Sequence, residues 1–334
     1  MNHKLQLAYV LTSSPDDVYL EQAYVSMCSA KHYMPDAKII LITDDLTADT
    51  LKGTRKQEIK YADQIIVVKI LAQLNGQKRS RYLKTNVRKY LKGDFLFIDC
   101  DTIVAKPLYD ILNTHADIAA CHDSHCSNFK ESPYYEINVR KGKKLHWPIE
   151  QEKHYFNTGI LFVRDTPPAH KFYNTWHHTL IAESWPKNIT FDQPSFAKTN
   201  YMLGHIVKNL PDVWNCELKH GIKYLKDAKI VHYLCTNMKP SAYKPFFIMM
   251  DQQTLQEIKQ TGNIPPAVKE TITDPFRGIA PLSRCFAGDD LYFFTTALYH
   301  FIRKRYGKPS FRTLTLLIHL YNRTIGLITE TKNK

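Results

Sequence analysis

The 334-residue chain contains no Gly-x-Gly-x-x-Gly fingerprint, no Cys-x-x-Cys pair and no run approaching the ~20 apolar residues of a membrane-spanning helix. Each absence counts against a class: a dinucleotide-binding Rossmann enzyme, a paired-cysteine zinc or redox protein, and a chain that crosses a membrane as a helix. The seven cysteines are odd in number, which argues against a disulfide framework and favours a reducing, cytoplasmic compartment. The opening MNHKLQLAYVLTSS has too short an apolar run for a signal peptide and reads as a first strand. Acids are also scarce. There are 32 Asp plus Glu against 45 Lys plus Arg, a formal charge of +13, so the favoured partners are anionic: a sugar nucleotide, a phospholipid surface or a nucleic acid. Nucleic acid is the least favoured, because the positive charge is dispersed outside the tail and no RNA- or DNA-binding motif is present.

What is present is organised around FLFIDCDTIVAK, residues 95–106. Phe95, Leu96, Phe97 and Ile98 show no polar alternation, which suits a strand covered on both faces of a parallel sheet. Asp99 and Asp101 follow, two apart on an extended backbone, so both carboxylates face one side while Cys100 points away. Ligands of open α/β sheets sit at the carboxyl ends of strands, where this pair falls. Two hard oxygen ligands suit Mg2+ or Mn2+, with substrate phosphates completing the shell. Asp-x-Asp alone is weak, since it arises about once by chance in this length; its place after an apolar strand raises it.

Residues 5–11 and 37–43 read as buried strands joined by a helix that starts at Ser14-Pro15-Asp16-Asp17 and runs to about His32. In this β-α-β unit the loop at Thr12 and Ser13 lies at the carboxyl edge, where a nucleotide base and ribose fit. Residues 64–69 read as a third strand and 80–91 as one basic helix. On that helix Arg81 and Lys84 either contact a diphosphate or ribose or form a solvated face. Residues 118–121 read as another strand. The CHDSHC that ends it has no usual zinc spacing, and Asp123 stands out there as a substrate-binding carboxylate. Residues 124–153 lack periodicity and read as an active-site loop.

Three further stretches complete an ordered set: HYFNTGILFV at 154–163, FDQPSF at 191–196 and IVHYLCTNMKP at 230–240. With FLFIDCDTIV they resemble the GT-A-fold glycosyltransferases, most closely the retaining enzymes of glycosyltransferase family 8. The resemblance covers residues 5–240. It implies a Rossmann-like α/β fold with a mixed, mainly parallel sheet flanked by helices. It also implies that Asp99, Asp101 and His232 hold Mn2+ against the diphosphate of a nucleotide sugar, with a UDP-hexose as the expected donor. By the same likeness Lys239 contacts the diphosphate, and Asn157 and Gly159 form the wall near donor sugar and acceptor. Asp192 and Gln193 are the acid-amide pair beside the anomeric carbon, and Asp123 binds sugar hydroxyls. Without the resemblance, His232 reads as a hydrogen-bonded strand-end histidine and Asp192 as a helix cap.

From about Asp251 the character changes. A helix over 251–260 is followed by irregular proline-containing stretches and two aromatic-rich helices, 289–306 and 311–329, with the basic run IRKRYGKPSFR at 302–312. The expected organisation is a catalytic domain over 1–250 and a helical, basic and aromatic extension over 251–334. That extension either packs on the domain or lies peripherally on an anionic membrane, where a lipid-linked acceptor would be met. The expected activity is hexosyl transfer with retention to a glycan, lipid-linked sugar or protein. A nucleotidyltransferase and a non-catalytic nucleotide-sugar or membrane-binding protein are the alternatives.

Overall fold

The computed structural model describes residues 5–70, 73–234, 248–278, 288–305 and 309–332. They group into two compact units, divided between Ala280 and Pro281.

The first unit is built on a seven-stranded sheet in the order β3-β2-β1-β4-β7-β6-β8. The strands are β1 (Gln6–Leu11), β2 (Lys38–Asp44), β3 (Gln64–Val68), β4 (Phe95–Ile98), β6 (Ile118–His122), β7 (Phe156–Val163) and β8 (Val207–Asn209). Only β7 runs against the rest, so the sheet is mixed and mainly parallel. Its unbroken apolar runs are explained by burial on both faces. Leu7, Tyr9 and Leu11 of β1 pack on one side with Leu20, Ala23 and Met27 of the Tyr19–Tyr33 helix. Ala8 and Val10 face the other side with Phe97, Phe172 and Trp176. A smaller sheet, β5-β10-β9, combines β5 (Thr102–Val104), β9 (Cys216–Glu217) and β10 (Ile230–His232). Its third cluster of apolar side chains takes in Leu255, Ile258, Val268 and Ile272 from the helices Gln252–Thr261 and Pro266–Thr273.

Three local expectations for this unit are corrected. The first helix starts at Tyr19, because the Asp17 carboxylate accepts from the Ser14 N–H at 2.7 Å and the Ser13 hydroxyl at 2.7 Å, holding residues 14–17 in a turn. The basic helix of 80–91 is two helices, Gly76–Lys84 and Val87–Tyr90. It starts early, where Asn75 caps it by accepting from the Lys78 N–H at 2.9 Å, and it breaks where the Asn86 amide donates to the Tyr82 carbonyl at 3.0 Å. The stretch 124–153 is not one loop: it holds the helix Tyr135–Lys144 over a small core of Phe129, Val139, Leu145, Trp147 and Ile149.

The second unit contains the helices Gly288–Thr295, Ala297–Arg305 and Pro309–Lys332. The expected 289–306 helix is thus interrupted at Thr296, whose hydroxyl donates to the Phe293 carbonyl at 2.7 Å. Among the described residues no helix is long and apolar enough to cross a membrane.

Candidate active site

Four segments reach the same edge of the large sheet. β1 ends at Leu11, β4 at Ile98 and β6 at His122, while the reversed β7 brings its first residues there. The register Ile98 to Ile160 carries on as the Asp99 N–H donates to the Gly159 carbonyl at 2.8 Å, seating Asp99 beside β7. In the small sheet His232 pairs with Thr102, and the Tyr233 N–H donates to the Asp101 carbonyl at 3.0 Å. Strand pairing therefore joins Asp101 and His232 across 131 positions.

Asp99, Asp101 and His232 each offer one ligand atom, and these atoms lie within 4.8 Å of one another. His232 Nε2 stands 3.2 Å from Asp101 Oδ1, while its Nδ1 is 2.8 Å from the Asn215 side-chain oxygen. Asn215 thus occupies one ring nitrogen and leaves the other aimed at the carboxylates. The Asn215 amide donates to Glu217 at 3.2 Å, and the second Glu217 oxygen accepts from the Ser124 N–H at 3.2 Å. Burial, with Asp123 adding, holds the Glu217 carboxyl well above its usual range. Gly159 is required at its position: a Cβ there would stand 2.4 Å from His232 Cε1. The Cys100 thiol turns to the Val10 carbonyl at 3.3 Å.

Arg81 and Lys84 share one face of the Gly76–Lys84 helix and form ion pairs inside the site. Lys84 Nζ is 3.1 Å from Asp99 and 3.3 Å from Asp192, and Arg81 Nε is 2.8 Å from Asp192. The Thr158 hydroxyl donates to the second Asp192 oxygen at 2.8 Å. Asp192 precedes the helix Gln193–Met202, yet its side chain makes no cap bond there. Burial works to raise its carboxyl, but Lys84 and Arg81 outweigh it and hold the group well below the carboxylate range. Burial also pushes the Asp99 carboxyl up against the pull of Lys84, and Asp101 adds to the rise.

The cavity these groups line measures about 520 Å3. Of the residues singled out from the sequence that are described, all line it except Asp123. Asp123 sits behind the wall, where the Gln193 amide donates to it at 2.6 Å and the Asn157 amide at 3.4 Å. Lys239 lies outside the described residues. Thr12 donates to the Gly76 carbonyl at 3.1 Å, and the Ser13 hydroxyl, bonded to Asp17, accepts from Arg55 at 3.2 Å. Sequence reasoning missed Thr158, Asn215 and Glu217. Thr158 stood inside the HYFNTGILFV stretch, whereas Asn215 and Glu217 carry no motif, and their role arises from contacts with distant residues.

A mainly parallel α/β sheet with paired carboxylates, a histidine and two cations around one carboxyl-edge cavity defines a glycosyltransferase of the GT-A type. The chain belongs to glycosyl transferase family 8, whose profile matches residues 10–243. Its enzymes imply a nucleotide-sugar donor and an acceptor. Among solved structures the chain is similar to the bifunctional glycosyltransferase WbbM, at 16% identity and TM-score 0.52, over 71% of this chain and 47% of that one. It is also similar to the glycosyltransferase GlyE of Streptococcus pneumoniae, at 15% identity and TM-score 0.50, over 85% and 67% of the two chains. It thus spans under half the length of WbbM, and at these identities the likeness is one of fold. No curated protein matches the chain.

Proposed function

We propose that this glycosyltransferase moves a hexose from a nucleoside-diphosphate sugar, a UDP-hexose, to a glycan or lipid-linked acceptor with retention at the anomeric carbon. The observation that carries the reading is the meeting, in one cavity, of a three-residue oxygen and nitrogen cluster with two cations. The donor set fits Mn2+ or Mg2+: two carboxylates and an imidazole whose other nitrogen is already occupied. Asp99, Asp101 and His232 would hold the ion, which when bound supplies positive charge at the departing phosphate.

The protein's own groups do the rest. Arg81 and Lys84 are fixed cations at the cavity wall, placed to stabilise charge that grows on the leaving diphosphate. Asp192 has both oxygens engaged by Arg81, Lys84 and Thr158, so it holds those cations in place and stays ionised. Gln193 commits its amide nitrogen to Asp123, which orients its carbonyl oxygen for an oxocarbenium-like anomeric carbon. Thr12 and Ser13 border the base and ribose, Asn157 and Gly159 the sugar, and Lys239 adds a further diphosphate contact.

The C-terminal helices supply the route to a lipid-linked acceptor. Leu298, Leu316, Leu317 and Tyr321 are exposed among the cations Arg303, Lys304, Arg305 and Arg312, a composition suited to the inner face of an anionic membrane.

The test is a thermal-shift series with UDP, GDP and CDP, with and without Mn2+, beside hydrolysis of the matching hexose conjugates. Ligand at a hundred times Kd adds about 2.7 kcal/mol of apparent stability. A Mn2+-dependent shift with UDP is expected, and Asp101→Ala should remove it and cut turnover about a hundredfold or more. Full activity in Asp101→Ala, or in EDTA, would rule out the metal role.

A further inference from the structure

Beside the main cavity lies a second groove of about 420 Å3 that none of this chemistry uses. One wall is the Tyr135–Lys144 helix, which turns Ile137, Arg140, Lys141 and Lys144 to a single face, at spacings of three and four along the helix. The other wall is the stretch 188–191, just ahead of Asp192. Phe191 lines both the groove and the main cavity, so the two adjoin at this residue, next to the acid-amide pair.

The groove has a definite chemistry. Its lining contains three cations and no acid. The ion pair described on this helix belongs to Lys143, 4.0 Å from Glu150, outside the groove. Like charges three and four apart on a helix repel, so an anion bound at this face would relieve that repulsion. Lys141 is half-buried, with Nζ 5.0 Å from the centroid of the Phe191 ring. Burial lowers the pKa of this ammonium and the negative charge of Asp123 opposes that, an electrostatic link between the groove and the sugar side of the cavity. An exposed ring beside a guanidinium and two ammonium groups provides an apolar face for a sugar ring and donors for an anionic substituent.

We propose that this groove is the acceptor subsite for an anionic sugar, one carrying a phosphate or carboxylate, seated between Phe191 and the Arg140, Lys141 and Lys144 face. The proposal rests on the glycosyltransferase reading of the main cavity and adds the acceptor's charge class to it. Phosphate and carboxylate sugars share the chemistry, and the test separates them.

The experiment is saturation-transfer NMR on the full chain, with UDP and Mn2+ present to fill the donor site. The probes are glucose, glucose 6-phosphate, glucuronate and inorganic phosphate. Either charged sugar should bind at least about tenfold tighter than glucose, and the better of the two names the group. The preference should fade as NaCl rises from 50 mM toward 1 M, where screening shortens to about 3 Å. In the combined variant Arg140→Gln, Lys141→Gln, Lys144→Gln it should vanish while the UDP and Mn2+ thermal shift is retained. Equal binding of glucose and both charged sugars overturns the proposal. So does a preference that survives in the variant, because the anion then sits elsewhere, and so does inorganic phosphate binding as tightly as glucose 6-phosphate, because no sugar subsite is then present. A missing UDP shift in the unmodified protein counts against the donor reading instead, and the comparison of the variant with the unmodified chain still decides the groove.

Discussion

Gly159 and Glu58 illustrate how single residues set the site and its surroundings. Gly159 carries its carbonyl to the Asp99 N–H and leaves room for the His232 ring; a Cβ would stand 2.4 Å from Cε1 and 2.9 Å from Nδ1. Because strand pairing holds the backbone, the ring must move. Gly159→Ala should therefore weaken Mn2+ binding at least about tenfold by titration calorimetry, with a stability loss in the ~1–3 kcal/mol range of an overpacked core. An unchanged Mn2+ affinity would remove His232 from the metal site. Glu58 is buried near Glu21, and neither carboxylate of this pair finds a hydrogen-bond partner among the described residues. Burial first, then the charge of Glu21, pushes the Glu58 carboxyl up from 4.5 to about 8. The folded state binds this proton more tightly than the unfolded chain, so the stability it contributes is fully present below about pH 4.5 and is lost as pH rises through 8. Glu58→Gln keeps the shape and removes the titration. Its melting temperature should exceed that of the unmodified protein at pH 8 by about 3 °C, as a gain of roughly 2 kcal/mol implies for a chain of this length. The difference should close toward pH 4.5, and a difference that does not vary with pH would sink the assignment.

The helix Gln252–Thr261 carries this reasoning to the scale of elements. Asp251 caps it by accepting from the Thr254 N–H at 3.0 Å, and Gly262 ends it with φ +66°. Leu255 and Ile258 are fully buried in the cluster that also holds Ile103 of β5 and Val231 of β10. Leu255→Ala should cost about 2–5 kcal/mol in urea denaturation, the range for a buried Leu truncation. Since Val231 precedes His232, it should also weaken Mn2+ binding; stability loss with unchanged Mn2+ affinity would mean that the small sheet is held independently of this helix. Elements of this kind differ in how far the sequence reveals them. The strands β1, β2 and β4 are mainly apolar runs because both faces of the sheet are covered, and the carboxylates after β4 and β6 were visible as acids following such runs. The start of the first helix was not visible, because Asp17 turns back on Ser13 and Ser14 where Pro15 and two acids look like a first turn. The helix Tyr135–Lys144 was missed because its small core draws on Phe129, Trp147 and Ile149, which keep no common period with it. Asn215 and Glu217 were hidden for another reason: a polar residue on a two-residue strand acquires its role only when β10 lies beside it.

At the scale of the whole molecule, the formal charge of +13 and the division between Ala280 and Pro281 lead to the same experiment. The first unit holds the described cavity, the family match and all four buried clusters of the described residues within one connected body. The second unit exposes Tyr292 at 74%, Leu316 at 63% and Tyr321 at 65%, large apolar side chains that a self-contained helical unit would ordinarily bury. With Arg303, Lys304, Arg305 and Arg312 on the same unit, a surface offering both hydrocarbon and negative charge satisfies both features at once. A variant ending at Ala280 should keep the UDP and Mn2+ thermal shift and hydrolyse the donor at an unchanged rate. In sedimentation the full chain should bind phosphatidylglycerol vesicles at low salt and release them only in part at 0.5 M NaCl, because screening removes the charge attraction and leaves the apolar contribution, whereas the truncated variant should not bind them. Vesicle binding that survives truncation would assign the membrane surface to the first unit. Loss of the nucleotide shift on truncation would mean that the C-terminal helices are needed to form the cavity, and their exposed apolar face would then be explained by that contact instead of by lipid.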